Sequence, residues 1–430
     1  MASHSLAKKI GAIILLAGHF GKTHTLDRVH FYAANRFWEE PRLEKPYLLS
    51  TDLAIWRGST CEGRDACRCT KDCKKPNILN IYGTYNMHAL GKNVPDKDPT
   101  KPENIVLDNL QQIEAKDCFG HLSFTGKFRM AGGEMLLTQN FKRGFFIQLH
   151  LPIRCLEVRN ICYTDLSSSG PASPNKTEPE WQEFLAAFRS ILTLYDLNIS
   201  SFKKTSAGDI SLLVGWTRNY EDTERLDFVD WTIKTGVLFP SGKKRNPNKV
   251  FSIPTGYDGH WGIPISFDLS IGLYEWITLG THLHIIPLLK RIGTVRMKTA
   301  PEQSGMIKLA KGTAKIKSGL VTQVGLFAQA DHIISGLSLT TGYSYAYQGN
   351  KKICPCETEK FNSSVVNNDE MFKKWSVHTI HFKVDYDFTK EKNRIGSRLG
   401  IFVDWHVGGK RTFKTNRFGP QLGLDFLLEV

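Results

Sequence analysis

From about residue 120 to the last residue, apolar side chains alternate with small or polar ones over runs of about ten residues. Strand periodicity sustained at that length leaves few folds open. In the last run, Leu422, Leu424, Phe426, Leu428 and Val430 share one face and Gln421, Gly423, Asp425 and Glu429 the other. The run before it sets Leu399, Ile401, Val403, Trp405 and Val407 against Arg398, Gly400, Phe402, Asp404 and His406. Ile263 to Leu273, Leu320 to Gln329 and Leu337 to Gln348 repeat the pattern. Strands of soluble sandwiches are shorter, and their outward faces carry long charged chains. Here the second face is rich in Gly, Ser, Thr and Gln, and ten residues is the length that a tilted strand needs to cross hydrocarbon. An apolar face toward lipid and a small, polar face toward a lumen satisfy both observations. A charge on the lipid side costs about 2 to 4 kcal/mol at mid-depth.

Strands are expected near residues 78–90, 121–134, 144–156, 209–220, 228–240, 262–274, 277–289, 314–330, 333–348, 375–388, 397–408 and 419–430. Twelve is an even number, as a single-chain bacterial barrel requires. Connections 275–276, 331–332 and 389–396 are short, whereas 157–208, 241–261, 290–313 and 349–374 are long. Tight turns at one end and larger loops at the other produce that alternation. Tyr47 to Trp56 also alternates, but adding it alone makes the count odd; with Leu26 to Trp38 as its partner the barrel has fourteen strands. The expected fold class is an all-β, antiparallel transmembrane β-barrel of about twelve strands, with fourteen as the alternative. Trp216, Trp231, Trp276, Tyr343, Tyr345, Tyr347, Trp375, Tyr386 and Trp405 near strand ends suit interfacial girdles.

Lys8 and Lys9, then an apolar stretch from Ile10 to Gly18, then polar residues through Thr25 have the order of a secretory signal. Residues 1–25 are read as that signal, 26–77 as an N-terminal periplasmic or plug segment with a Cys cluster, and 78–430 as the barrel. No run of eighteen apolar residues exists, which excludes a helical membrane protein. The formal charge of +14 permits anionic partners without choosing among them.

A secretory start, lengthwise alternation, aromatic strand ends and an amphipathic last strand resemble the bacterial outer-membrane β-barrels, the porin-like transport channels among them. That resemblance implies an outer-membrane address. It also implies contact with outer-membrane lipid and lipopolysaccharide, and recognition by the barrel-assembly machinery through the final strand. Members usually end in Phe or Trp; Phe426 keeps the pattern here and the terminal residue is Val430.

Chemistry-bearing residues are sparse. His282 and His284 share one strand face, as do His381, Lys383 and Asp385. Positions i and i+2 point into the same space, so these residues, with Gln323, Gln329, Asp404 and His406, are expected to line the lumen. Cys61, Cys67, Cys69 and Cys73 lack the paired spacing of a zinc site. Disulfides are the preferred reading for them, and loop cross-links or free thiols for Cys354 and Cys356; no metal and no cofactor are expected. His121 and Ser123 resemble the His and Ser of an outer-membrane phospholipase, but Phe124 and Thr125 follow where that family has Asn-Gly. Trp181, Phe184, Leu185, Phe188 and Leu192 have helical spacing between Glu180 and Leu194. Lys243, Lys244, Arg245 and Lys249 in one loop, and Lys308, Lys311, Lys315 and Lys317 around another, form basic loops without a nucleic-acid recognition module.

The expected function is passive passage of small solutes through a porin-like channel, without enzymatic chemistry and with weak anion preference from the net charge. The alternative is a non-conducting surface barrel whose long loops bind host or envelope partners.

Overall fold

The computed structural model describes residues 48–63, 76–115, 118–168, 176–221, 226–274, 276–334, 336–389 and 395–427. Seventeen strands occur among them. They are β1 (Leu48–Thr60), β2 (Tyr85–Asn86), β3 (His121–Asn140), β4 (Phe145–Asp165), β5 (Phe202–Ala207) and β6 (Ile210–Glu221). Next come β7 (Phe228–Phe239), β8 (Ile265–Leu273), β9 (Ile277–Ile286), β10 (Arg291–Arg296), β11 (Lys311–Lys317) and β12 (Val321–Ile334). The last are β13 (Leu337–Gln348), β14 (Lys352–Pro355), β15 (Trp375–Asp387), β16 (Ile395–Lys410) and β17 (Arg417–Leu427).

Twelve of these close into a barrel: β1, β3, β4, β6, β7, β8, β9, β12, β13, β15, β16 and β17, each antiparallel to its neighbours. Closure is made by β1, which pairs with β17 from Leu48 opposite Leu427 to Arg57 opposite Phe418, and with β3 on its other edge. Full closure leaves no ladder edge toward lipid. The adjoining ends of β3 and β4, of β8 and β9, and of β12 and β13 lie at one end of the barrel with Leu48 and Leu427. Every long connection lies at the other.

The strand count agrees with the expectation, but one of its members differs. Residues 78–90 do not cross the barrel; the stretch set aside on parity, from Leu48 onward, is the closing strand. Ile78, Leu79, Ile81, Tyr82, Tyr85, Met87 and Leu90 are all buried, on both parities, so no face is left for lipid. Asn77 caps a single turn at Ile78–Asn80 by accepting from the Leu79 N–H, and Gly83 at φ 97° turns the chain again. Asn80 then donates to the Phe124 carbonyl at 2.8 Å and accepts from its N–H at 3.0 Å, tying the segment to β3. The expected signal at residues 1–25, the Leu26 to Trp38 partner strand, and Cys67, Cys69 and Cys73 lie outside the described residues.

β3 and β4, at 20 and 21 residues, are about twice the length needed to cross hydrocarbon. Their upper halves rise beyond the barrel and become a wall for the loops. Against it pack α1 (Pro102–Gln112) and α2 (Pro179–Leu194). Trp181, Phe184, Phe188, Ile191 and Leu192 form the buried stripe of α2, so the expected helix is present and Leu185 is only partly covered. A separate three-stranded sheet, β10-β11-β14, and the short α3 (Ser363–Asn367) complete the loop end. The main hydrophobic core sits here, joining Tyr85, Phe124, Trp181, Phe251, Ile316 and Phe361. Among the described residues no helix is long and apolar enough to cross a membrane.

Candidate functional site in the barrel interior

The outward positions are apolar and open. Ile55 is 66% exposed, Ile401 64% and Leu326 61%, and Leu53, Val214, Ile233, Phe267, Val384 and Leu399 continue the band round the wall. Such a belt has no aqueous partner and matches a lipid-facing surface. Exposed Phe145, Tyr220, Tyr274, Trp276, Tyr386 and Phe388 gather at the turn end, where an aromatic girdle belongs. Trp375 departs from the expected girdle: it faces inward, 4% exposed, and donates from Nε1 to Gln348 Oε1 at 2.7 Å.

The inward positions carry the polar chemistry. The structure places His282, His284, Gln323, Gln329, His381, Lys383, Asp385, Asp404 and His406 there, each at or below 9% exposure. Side-chain contacts order them closely. On β9, His282 Nε2 is 3.2 Å from Gln323 Nε2 on β12, and His284 Nδ1 is 2.6 Å from Ser266 Oγ on β8. Gly325 faces the His282 ring, and a Cβ there would stand 2.1 Å from it, so the close packing requires glycine. Across β13, β15, β16 and β17, Ser344 Oγ lies 2.7 Å from His381 Nε2, and His381 Nδ1 lies 2.8 Å from Asp404 Oδ1. Arg417 Nη2 is 2.8 Å from the other Asp404 oxygen. One turn of the ladder lower, Lys383 is 3.1 Å from Asp385.

Several interior residues escaped the sequence reading. Glu134 on β3 meets His150 Nε2 at 3.2 Å and accepts from Trp56 Nε1 at 3.2 Å. Arg154 and Lys234 add further cations; Arg398, which the sequence already sets on the polar face of its run, stands 3.6 Å from both Asp52 and Asp425, near the turn end. Their signal was the same alternation: Gln148, His150, Pro152 and Arg154 each follow one of Ile147, Leu149, Leu151 and Ile153.

The Ser344, His381, Asp404 row has the order of a nucleophile, base and orienter. Ser344 is nevertheless only 1% exposed, and its strand is paired on both edges by β12 and β15, which commits the local backbone donors. The arrangement serves to pin His381. His121 and Ser123 do not meet each other either: His121 Nδ1 pairs with Thr84 Oγ1 at 2.9 Å, and Ser123 Oγ accepts from Asn80 at 2.9 Å. Both anchor the 78–90 segment.

Carboxylates at Asp52, Glu134, Asp230, Asp268, Asp385, Asp404 and Asp425 face Arg154, Lys234, Lys383, Arg398 and Arg417 among the described interior residues. The positive excess expected to favour anions therefore sits elsewhere, in loops such as 240–264. Lys308 is not a solvated loop residue: it is 1% exposed, 3.6 Å from Asp369, and burial lowers its pKa against the pull of that carboxylate. Cys61, Cys354 and Cys356 are exposed and unbonded in this structure. Among the described residues no group of three or more His, Cys, Asp or Glu is arranged to hold a metal ion.

No family model and no curated protein matches the chain. Among solved structures, it is similar to an outer membrane channel from Pseudomonas putida F1, with a TM-score of 0.49 and 12% identity over 91% of this chain and 100% of that one. It is also similar to the NanC porin, at TM-score 0.31 and 10% identity over 70% and 94% of the two chains. A FadL homologue from Pseudomonas aeruginosa gives 0.31 and 7% over 89% and 91%.

Proposed function

We propose that this protein is a porin-like channel of a bacterial outer membrane, passing small polar solutes through a narrow lumen that its own side chains close at rest. The observation carrying this reading is the unbroken file of ionisable groups along the interior. It runs from Arg154 and Trp56–Glu134 near the loop end, through Arg417, Asp404 and His381, to Lys383–Asp385 and Arg398 near the turns. Ionisable groups inside a membrane protein are costly and mark pathways by default. A barrel with a purely mechanical role is filled more cheaply by apolar and hydroxyl side chains.

Exposures of 0 to 5% for Asp404, Gln323, His284, His381 and Lys383 support a resting state in which no continuous water column passes the waist. Passage then requires these paired groups to part, and selectivity follows from lumen size and charge. With the carboxylates named above facing fewer fixed cations, weak cation preference is the reading, replacing anion preference.

Planar-bilayer recording of the purified protein tests this. Small, gated conductance steps are expected, larger when Arg417→Ala and Asp404→Ala are combined to empty the waist. Silence of both proteins, together with no liposome swelling in small sugars or amino acids, would overturn it.

The same reading takes residues 1–25 as the export signal, the final strand as the feature read by the barrel-assembly machinery, and Lys243, Lys244 and Lys249 as anchors to lipopolysaccharide phosphate. A second reading, the non-conducting surface barrel, is favoured by the folded loop end with its own core around Trp181 and Phe251. Deleting 176–200 separates the two: permeability changes under the channel reading, and only partner binding changes under the other.

A further inference from the structure

Near the turn end of the wall, Phe228 on β7 stands opposite Glu221 on β6 and Gly272 on β8. Two residues further into the barrel, Asp230 takes the same central place between Asn219 and Ser270. This row belongs to the inward face, with buried Thr217, Thr232 and Lys234, whereas Val214, Tyr220 and Ile233 on the alternate positions are exposed. Residues directly opposite on antiparallel strands hold their Cβ atoms about 4.5 to 5.5 Å apart. Side chains of the row are therefore near enough to share one ion.

Asp230 is 3% exposed, and neither of its carboxylate oxygens has a hydrogen-bond partner; Asn219 Oδ1 beside it has none either. Among the described residues no cation pairs with Asp230. Lys234, the one basic residue of β7, stands 3.9 Å from Asp268 on β8. Glu221, which ends β6 on the same face as Asn219, brings a second carboxylate, and it too forms no ion pair among the described residues. A buried carboxylate with neither donor nor counter-ion is costly. Every other charged interior group described above has a partner of opposite sign or a hydrogen bond; this one is left with oxygens alone.

We propose that Asp230, Asn219 and Glu221 hold a hard divalent cation, Ca2+, against the inner wall of the barrel. Carboxylate, amide and hydroxyl oxygens are the donors that Ca2+ takes, in an irregular shell of about six to eight. Asp230 offers two oxygens, Asn219 its amide oxygen and Ser270 a hydroxyl, so no third acid is needed. The two carboxylates match the charge of the ion. Mg2+ is smaller, demands a near-ideal octahedron and gives up its waters reluctantly, which positions fixed by three paired strands do not accommodate. A soft metal finds no thiolate or imidazole in the row. The bound ion would join β6 to β7 at the turn end. The site depends on the wall alone and stands whether or not the barrel conducts.

Calorimetric titration of the full chain with calcium chloride, after refolding into phosphocholine detergent free of lipopolysaccharide, tests the proposal. Ca2+ is expected to bind one to one, and Mg2+ about tenfold more weakly. Asp230→Asn keeps the shape of the side chain and is expected to weaken Ca2+ about tenfold or more, whereas Asn219→Asp adds a charged ligand and is expected to tighten it about tenfold. The proposal is overturned if the parent protein takes up no Ca2+, if Mg2+ binds as tightly, or if Asp230→Asn binds Ca2+ as the parent does. Should Asp230→Asn fail to migrate as a folded barrel, an unaltered affinity in Asn219→Asp overturns it equally. Conductance is not part of the readout, so a silent channel and an absent ion site are told apart.

Discussion

Arg417 on β17 stands 2.8 Å from Asp404 on β16, and the second oxygen of that carboxylate meets His381 at 2.8 Å, so one acid holds two neighbours on adjacent strands. All three are within 5% of full burial. Removing the acid alone strands a buried guanidinium. Asp404→Asn is expected to cost about 3 to 5 kcal/mol in folding stability, whereas the paired replacement Asp404→Leu with Arg417→Met recovers most of it. Urea unfolding in detergent micelles reads the difference. Equal losses in both proteins would show that the ion pair is not what stabilises this level of the barrel.

Ile401 is 64% exposed at the middle of β16, beside inward Phe402 and Asp404. If that surface meets acyl chains, Ile401→Arg costs about 2 to 4 kcal/mol in folding into bilayers. The same substitution in a water-facing strand is nearly neutral. Reversible unfolding in phosphatidylcholine vesicles distinguishes the two, and an unchanged free energy would remove the membrane assignment of this face.

Asn80 pairs both backbone groups of Phe124. Asn80→Ala leaves a buried N–H and C=O without their partner, a loss of about 1 to 3 kcal/mol per group. The consequence belongs to the loop end and not to the barrel. Faster hydrogen exchange over 78–90 and 118–126, with unchanged protection in β15 to β17, is the expected pattern; uniform loss of protection would mean that the two parts unfold together.

His260, outside the barrel wall, is buried, and its Nδ1 lies 2.8 Å from the Leu289 carbonyl. Burial pushes its pKa down to about 4. An unfolded chain takes the proton near pH 6.5, whereas the folded one waits until about 4. Stability from this residue is therefore complete above about pH 6.5, falls as the pH drops through that window, and levels off below about 4. His260→Gln cannot titrate and is expected to flatten the pH dependence of exchange in loop 240–264. A variant as acid-sensitive as the parent would place the origin elsewhere.

Period-two alternation was enough to read eleven of the twelve crossing strands and the alternation of short and long connections. It failed at 78–90, where burial is three-dimensional and both parities are apolar. Parity then led the wrong way: excluding the stretch from Leu48 kept an even count only because another stretch had been admitted in error. Helical spacing from Trp181 to Leu192 was equally legible, because one stripe of that helix meets the core.

What the sequence determined alone is the solvent on each side of the wall, since a strand's two faces are written as alternate letters and each face has a single environment. What the tertiary structure decided is which strands meet, and hence which charges pair. Asp404 and Arg417 lie thirteen positions apart and Arg398 and Asp52 several hundred, and only ladder register and barrel closure bring either pair within reach. The row of Asn219, Asp230 and Ser270 is of the same kind: it comes from three strands that no local pattern relates, because pairing between strands depends on contacts between distant residues rather than on any period along the chain.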